Sequence, residues 1–174
     1  FCGSIPSDYV SAGGSNSGNN SSLYFDGTVN SHLITSDVDN FPTTEITVEF
    51  WIKTPDGYDA QQDGVFSYAQ GSDNEFLIYE ESNQGIRMFI GGPATVPSGV
   101  HYDDGEYNHI AVTWESSSGN LKLYKNGNLV WSIIHQQGYE IRSGGTFVLN
   151  QEQDCVGGCF AGDQTSPAAI EEVR

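Results

Sequence analysis

Oxygen-bearing side chains that could bind a metal ion are concentrated in one short, Gly-rich part of the chain. Gln151-Glu152-Gln153-Asp154 leads into Gly157-Gly158, and Asp163-Gln164 follows. A further pair, Asp73-Asn74, lies far upstream. Calcium prefers roughly six to eight carboxylate and amide oxygens in flexible geometry, whereas zinc and copper favour nitrogen and thiolate ligands. The sequence therefore predicts a calcium site assembled from two distant loops.

Length and charge limit the kinds of protein that this chain can be. It has 174 residues, with six Lys and Arg against 23 Asp and Glu, and a formal net charge of −17. This length predicts one domain. The acidic balance argues against nucleic-acid partners and anionic membranes, and no apolar run approaches the roughly 20 residues of a membrane span. We expect a secreted, extracellular protein; because it starts at Phe1 rather than Met, we expect a processed product or a fragment.

Three cysteines are present: Cys2, Cys155 and Cys159. The last two flank Val156-Gly157-Gly158, a short segment that could bring them together. An acidic, Ser/Gly/Asn-rich chain favours an oxidising, extracellular setting, so we predict a local Cys155–Cys159 disulfide that braces the loop. The alternative is two unrelated thiols in a reducing cell. Either way, Cys2 is left over and could pair with another chain.

Residues 1–22 differ in composition from the remainder. They are rich in Ser, Gly and Asn, which is typical of a flexible linker. Asn19-Asn20-Ser21 and Asn20-Ser21-Ser22 are glycosylation sequons, which would make the protein a glycoprotein. We therefore predict a flexible segment over residues 1–22 and one folded domain over residues 23–174.

The folded part has the pattern of an all-β protein. From Ile46 to Lys53, apolar residues alternate with Thr, Glu, Trp and Lys, as in a half-buried strand. Asn126-Gly127 is the strongest short signal for a hairpin. No window predicts a helix. Strands are also predicted over residues 64–68, 75–79, 85–90, 109–114, 121–125, 129–134 and 146–149. Many short strands with regular turns indicate a sandwich or barrel.

Three stretches carry a family resemblance. They are residues 64–78 (Gly-Val-Phe-Ser-Tyr-Ala-Gln-Gly-Ser-Asp-Asn-Glu-Phe-Leu-Ile), 108–119 (Asn-His-Ile-Ala-Val-Thr-Trp-Glu-Ser-Ser-Ser-Gly) and 144–158 (Gly-Gly-Thr-Phe-Val-Leu-Asn-Gln-Glu-Gln-Asp-Cys-Val-Gly-Gly). In order and spacing they resemble pentraxins over about residues 23–173, and their strands also resemble laminin-G-like domains. The resemblance implies a jelly-roll sandwich of two antiparallel sheets with a lectin-like function.

The same resemblance implies a ligand set for two adjacent calcium ions on one face of the sandwich. For the first ion it implies Asp73, Asn74, Glu152, the main-chain carbonyl of Gln153, and Asp154. Gln164 matches a ligand of the second ion. Ala161 stands where the family has an acidic ligand, and nearby Asp163 could substitute. We therefore expect one complete calcium site and a second that depends on Asp163.

Ligand choice follows from two further positions. Tyr79 matches the aromatic wall of the ligand pocket in phosphocholine-binding members of the family. The acidic partner of choline would fall near Pro93-Ala94, where no acidic residue is present. Phosphocholine selectivity is therefore not expected, and calcium-bridged recognition of sugar hydroxyls, acidic glycans or other anionic surface groups is the open alternative.

Two departures from the family bear on assembly. The family joins two neighbouring strands by a disulfide at the positions of Glu49 and Ala111, and that bridge cannot form here. The chain also ends at Arg174, before the family's final strand and helix, so we expect an unpaired sheet edge. The N-terminal segment could fill such an edge on a neighbouring chain and give a homo-oligomer or filament. A tail on a monomer is an equal alternative.

Two other functions occur among domains of this kind. Related jelly-roll glucanases use Glu-x-Asp-x-x-Glu, and the nearest approach here, Glu75 with Glu80 and Glu81, has Leu77 in the middle position. The four histidines, His32, His101, His109 and His135, show no metal or triad spacing, so an enzyme is not expected. The second rival is a structural or cell-adhesion subunit of an extracellular fibre or matrix, in which calcium only stabilises loops.

Overall fold

A computed structural model describes residues 22–57 and 62–174, apart from the side chains of Ser72 and Asp73. The predictions for the linker, the sequons, Cys2 and strand donation therefore lie outside the described residues. The described chain contains no α-helix. Its strands are β1 (Leu23–Asp26), β2 (Leu33–Val38), β3 (Glu45–Lys53), β4 (Asp63–Gln70), β5 (Ser72–Glu81), β6 (Gly85–Ile90), β7 (Asn108–Glu115), β8 (Asn120–Lys125), β9 (Asn128–Ile134), β10 (Gly145–Leu149) and β11 (Pro167–Glu171).

The strands form two sheets. One has six strands in the order β1-β11-β3-β7-β8-β9, and the other has five in the order β2-β10-β4-β5-β6. Each paired neighbour runs antiparallel. The predicted all-β fold of two antiparallel sheets is therefore confirmed. Among the described residues, no helix is long and apolar enough to cross a membrane.

The core lies between the sheets and follows the predicted alternation. Ile46, Val48, Phe50 and Ile52 of β3 are buried, and the residues between them are more exposed. From the five-stranded sheet, Tyr68 packs into the same core and stacks on Phe41, with ring centroids 3.6 Å apart. The Asn-Gly hairpin also forms, because Asn126 and Gly127 both adopt the positive φ of a tight turn between β8 and β9.

The residues shortly before Arg174 form a further strand. Residues Pro167–Glu171 form β11, which lies inside the six-stranded sheet between β1 and β3. The pairing continues past β11, since the main chains of Arg174 and Glu49 exchange two hydrogen bonds of 3.0 Å. The residues up to Arg174 are therefore paired within this sheet. Each sheet still ends in strands with one described neighbour, β1 and β9 in one and β2 and β6 in the other, so the predicted unpaired edge stays a prediction.

Glu49 and Ala111 are direct partners in the β3–β7 register. The resemblance placed the family's interstrand disulfide at these two positions, so the structure confirms that they are neighbours. Here Glu49 instead forms an ion pair with Arg174, at 3.2 Å, and its Oε2 lies 3.4 Å from His109 Nε2.

Candidate metal centre

The segment that follows β10 covers the outer face of the five-stranded sheet. On β4, Phe66 and Tyr68 face the core, so Ser67 between them faces outward. Gln153 is fully buried against it: its Nε2 donates to Ser67 O at 3.1 Å and to Thr146 O at 3.1 Å. Its Oε1 accepts a hydrogen bond from Gly157 N at 2.8 Å. The Gln153 side chain therefore anchors the loop, which agrees with a ligand role for its main-chain carbonyl only.

Glycine at position 64 allows Glu152 to approach the sheet. A Cβ atom on Gly64 would lie 2.5 Å from the backbone nitrogen of Glu152, closer than any real side chain tolerates. Gly64 N also donates to Gln164 O at 3.1 Å. The start of β4 therefore brings Glu152 and Gln164 together.

Asp154 and Gln164 meet through their side chains. Gln164 Nε2 lies 3.4 Å from Asp154 Oδ1, and Gln164 Oε1 accepts from Ala161 N at 3.3 Å. Gln151 fixes the same turn, since its Nε2 donates to Ala161 O at 2.7 Å. Asp163 lies in this turn and is exposed. Gln164 thus forms one unit with Glu152, Gln153 and Asp154, although it follows Asp154 by ten residues in sequence.

A disulfide closes the loop directly after Asp154. Cys155 and Cys159 are bridged, with their Cα atoms 5.4 Å apart. Gly158 N donates to Cys155 O at 2.9 Å across the same turn. The predicted disulfide is confirmed, and it fixes the backbone that carries Asp154.

The upstream pair lies on β5, which pairs with β4. The side chain of Asp73 is outside the described residues. Asn74 Oδ1 is buried, and no described group donates a hydrogen bond to it. A buried acceptor without a donor is costly unless a cation or water satisfies it. The predicted ligands are all oxygen donors, and a buried Asn74 oxygen without a described donor suits a calcium ligand, so the residues present fit calcium.

An ion pair between the buried Glu75 and the half-exposed Arg142 fixes β5 beside Asn74. The Glu75 carboxylate accepts hydrogen bonds from Arg142 Nη2 at 2.6 Å, Arg142 N at 2.8 Å and Tyr139 OH at 2.7 Å. These bonds hold the 139–142 segment against the strand. Glu75 was the first residue of the nearest glucanase-like pattern, and the structure gives it a structural partner.

Tyr79 lies on the same outer face but is only 3% exposed. Its ring packs against Phe89, with centroids 5.4 Å apart, and its hydroxyl lies 3.4 Å from Glu81 Oε2. Burial raises the pKa of Tyr79 to about 12, and the negative charges of Glu81 and Glu152 add to the shift. Tyr79 is paired with Gly64 across β4 and β5, and Gly64 lies against Glu152, so Tyr79 lies near Glu152. Its role in a ligand pocket stays a prediction.

Sequence spacing missed a second group of metal-ligating side chains. His101 Nδ1 lies 2.8 Å from Glu80 Oε1 and 3.9 Å from Asp103 Oδ1. Glu80 is the last residue but one of β5, whereas His101 and Asp103 lie between β6 and β7. Because the fold brings together residues 21 positions apart, no local motif could have shown this group.

Comparison with known proteins places the chain among pentraxins. It is 37% identical over 110 residues to serum amyloid P-component of Homo sapiens, which covers 63% of this chain and 49% of the relative. It is 34% identical over 111 residues to C-reactive protein of Rattus norvegicus, covering 63% and 48%. The chain thus spans about half the length of these curated relatives.

Solved structures share the fold. The native heptameric SAP-like pentraxin from Limulus polyphemus superposes with a TM-score of 0.68 at 22% identity, covering 87% of this chain and 73% of that one. The binding domain of Paraclostridial Mosquitocidal Protein 1 gives a TM-score of 0.63 at 13% identity, covering 88% and 39%. At these identities the likeness concerns the fold alone.

A family model matches almost all of the residues that the structure describes. The model of the Pentaxin family matches residues 24–174, a range that contains both predicted ligand segments. With this match and the relatives above, the chain belongs to the Pentaxin family.

Proposed function

We propose that this chain is the recognition module of a secreted protein that binds glycans or anionic surface groups through calcium. One observation carries the proposal: Glu152, Gln153, Asp154 and Gln164 are held together by close main-chain packing and by hydrogen bonds of the two glutamine side chains. Such pre-organisation lowers the entropy cost of binding.

Asp73, Asn74, Glu152, the carbonyl of Gln153, and Asp154 would hold one calcium ion, and Gln164 with Asp163 would contribute to a second. Bound calcium supplies coordination positions that hydroxyl, carboxylate or phosphate oxygens of a ligand can occupy. The chain itself carries a net charge of −17, which repels anionic ligands. Recognition of an anionic group at these carboxylates therefore requires a cation between them.

The family argues for binding rather than catalysis. Pentraxins such as serum amyloid P-component and C-reactive protein are recognition proteins and not enzymes. The Cys155–Cys159 disulfide suits an oxidising compartment, which supports an extracellular location. The Limulus pentraxin is heptameric, and we propose that this chain also assembles, with the N-terminal segment as one candidate link.

A glycan-array experiment tests the proposal. The chain is screened in calcium and in chelator, beside Asp154→Asn and the control Glu45→Gln, which removes an exposed carboxylate from the other sheet. We expect hits that require calcium, disappear in Asp154→Asn and persist in Glu45→Gln. Calcium-dependent stabilisation without any hit would favour the structural role instead, and the absence of both would overturn the proposal.

A further inference from the structure

We propose that Glu80, His101 and Asp103 form a second metal site, which takes a divalent ion of the zinc type and is separate from the calcium loop. Glu80 follows Tyr79 on β5, and the two side chains face opposite sides of the sheet. Tyr79 lies near Glu152 on the outer face, whereas Glu80 points toward the rim of the core beside Tyr102. The two sites therefore lie on opposite faces of one strand.

The donor atoms are already close together. One ligand atom from each of Glu80, His101 and Asp103 lies within 4.8 Å of the others. Zinc binds nitrogen and oxygen ligands at about 2.0–2.2 Å. Donors around one such ion are thus separated by about the distances seen here, and small side-chain movements suffice to place them in one coordination shell.

Buried oxygens without donors provide a second, independent observation. The Glu80 side chain is only 1% exposed, and its Oε2 has no hydrogen-bond partner within the described part of the chain. Asp63, the residue paired with Glu80 across β4 and β5, is 2% exposed, and its Oδ2 is likewise unpartnered there. Buried carboxylate oxygens without a hydrogen-bond partner are unfavourable in general. A cation bound by Glu80, His101 and Asp103 would satisfy the Glu80 oxygen.

Electrostatics agree with a missing positive charge. Burial raises the pKa of Glu80 to about 8 and that of Asp63 to about 7, and the charge of Asp103 adds to both shifts. Lys125 is close, but its Nζ donates to His101 O at 2.7 Å and to Asp104 Oδ2 at 3.3 Å. Lys125 therefore bonds to the neighbouring Asp104. Among the described residues, no Lys or Arg forms an ion pair with the carboxylate of Glu80 or of Asp63.

The ligand types favour zinc over calcium. An imidazole nitrogen suits zinc and related transition metals, while calcium sites are built of oxygens. Three protein ligands leave one position for water. His101 and Asp103 are 38% and 28% exposed, so an ion can reach the site from solvent.

The test is zinc binding by the full chain in calcium-saturated buffer, measured by calorimetry with zinc chloride. We expect one equivalent of zinc, with affinity reduced by about tenfold or more in His101→Ala and in Asp103→Asn, because each loses one of three protein ligands. Cobalt should give a visible absorption band that His101→Ala abolishes. Both replaced side chains are partly exposed, so if one variant misfolds the other decides.

Two control variants establish that the zinc ion binds at these three residues and nowhere else. His109→Ala removes a matched His–Glu pair on the other sheet, with Glu49 at 3.4 Å, and should leave zinc binding unchanged. Asp154→Asn alters the calcium loop and should also leave it unchanged. Absence of zinc uptake, equal uptake in His101→Ala and the parent, or loss of uptake in Asp154→Asn would each overturn the proposal.

Discussion

Gly64 and Glu152 are in contact at a distance that excludes any side chain at position 64, with 2.5 Å between an added Cβ and Glu152 N. This contact sets how closely the ligand loop lies on β4. A single methyl group added at position 64 would therefore displace the loop.

Gly64→Ala should destabilise the fold and weaken calcium binding together. The added methyl group meets backbone rather than a flexible side chain, so the loop must move, at a cost of about 1–3 kcal/mol. Denaturant unfolding and a calcium titration measure the two effects. Gly162→Ala is the control from the same loop, because a Cβ there meets nothing within 4 Å. Equal stability of the two variants would contradict the role given to Gly64.

Calcium should stabilise the folded chain. Glu152 and Asp154 bring negative charge together in an already acidic protein, and a cation that binds only the folded state adds about 2.7 kcal/mol at a hundredfold excess over its dissociation constant. The melting temperature should rise with calcium and fall back with chelator. Asp154→Asn should lose this response and Glu45→Gln should keep it. A melting temperature that ignores calcium would count against the site.

The disulfide should leave Cys155 and Cys159 unreactive. In non-reduced, unfolded protein, a thiol probe should label only Cys2, or nothing if Cys2 pairs with another chain. Reduction should lower stability by about 2 kcal/mol, as expected for a short closed loop, and should weaken calcium binding. Peptide mass mapping checks the link. Two free thiols in protein from an oxidising compartment would rule it out.

Removing Glu75 should be costly although the residue is not a predicted ligand. Glu75→Ala leaves Arg142 and Tyr139 without their shared carboxylate, and the loss of these hydrogen bonds from a buried acceptor costs about 1–3 kcal/mol, since the half-exposed Arg142 can be rehydrated. Glu172→Ala removes an exposed pair with Arg174 and should change stability little. Urea unfolding compares the two. A small effect for Glu75→Ala would mean that the anchor of β5 lies elsewhere.

Stability without metal should fall as pH rises from about 5 to 8. The pKa values of Glu80 and Asp63 are raised to about 8 and about 7, above the ordinary values of 4.5 and 3.8. The folded state therefore binds protons that the unfolded state has released. This contribution is complete below about pH 4 and is lost as pH rises through 7 and 8.

Glu80→Gln in chelator should flatten this decline by an amount on the order of 1–3 kcal/mol between pH 5.5 and 8. Glu81→Gln, which replaces the neighbouring carboxylate on β5, is the control. Urea unfolding at several pH values gives the comparison. If the free energy of unfolding changed equally with pH in Glu80→Gln and in the parent, the prediction would fail, because Glu80 would then be ionised in the folded protein.

Local sequence determined the eight strands from β3 to β10, the hairpin and the disulfide, whereas β1, β2 and β11 were not delimited from the sequence. Alternation over β3, the Asn126-Gly127 turn and the short Cys155–Cys159 spacing each express backbone and side-chain preferences within a few residues. The order of the ligand segments along the chain was enough to identify the family. These features were predicted because the interactions that cause them span only a short stretch of chain.

Only the tertiary structure decided which distant groups meet. The Glu75–Arg142 pair, the contact of Gly64 with Glu152, and the meeting of Glu80 with His101 join residues from 21 to 88 positions apart. The place of β11 between β1 and β3 likewise depends on pairing across the whole sheet. Such contacts follow from strand order and register, which the pattern of any one segment does not contain.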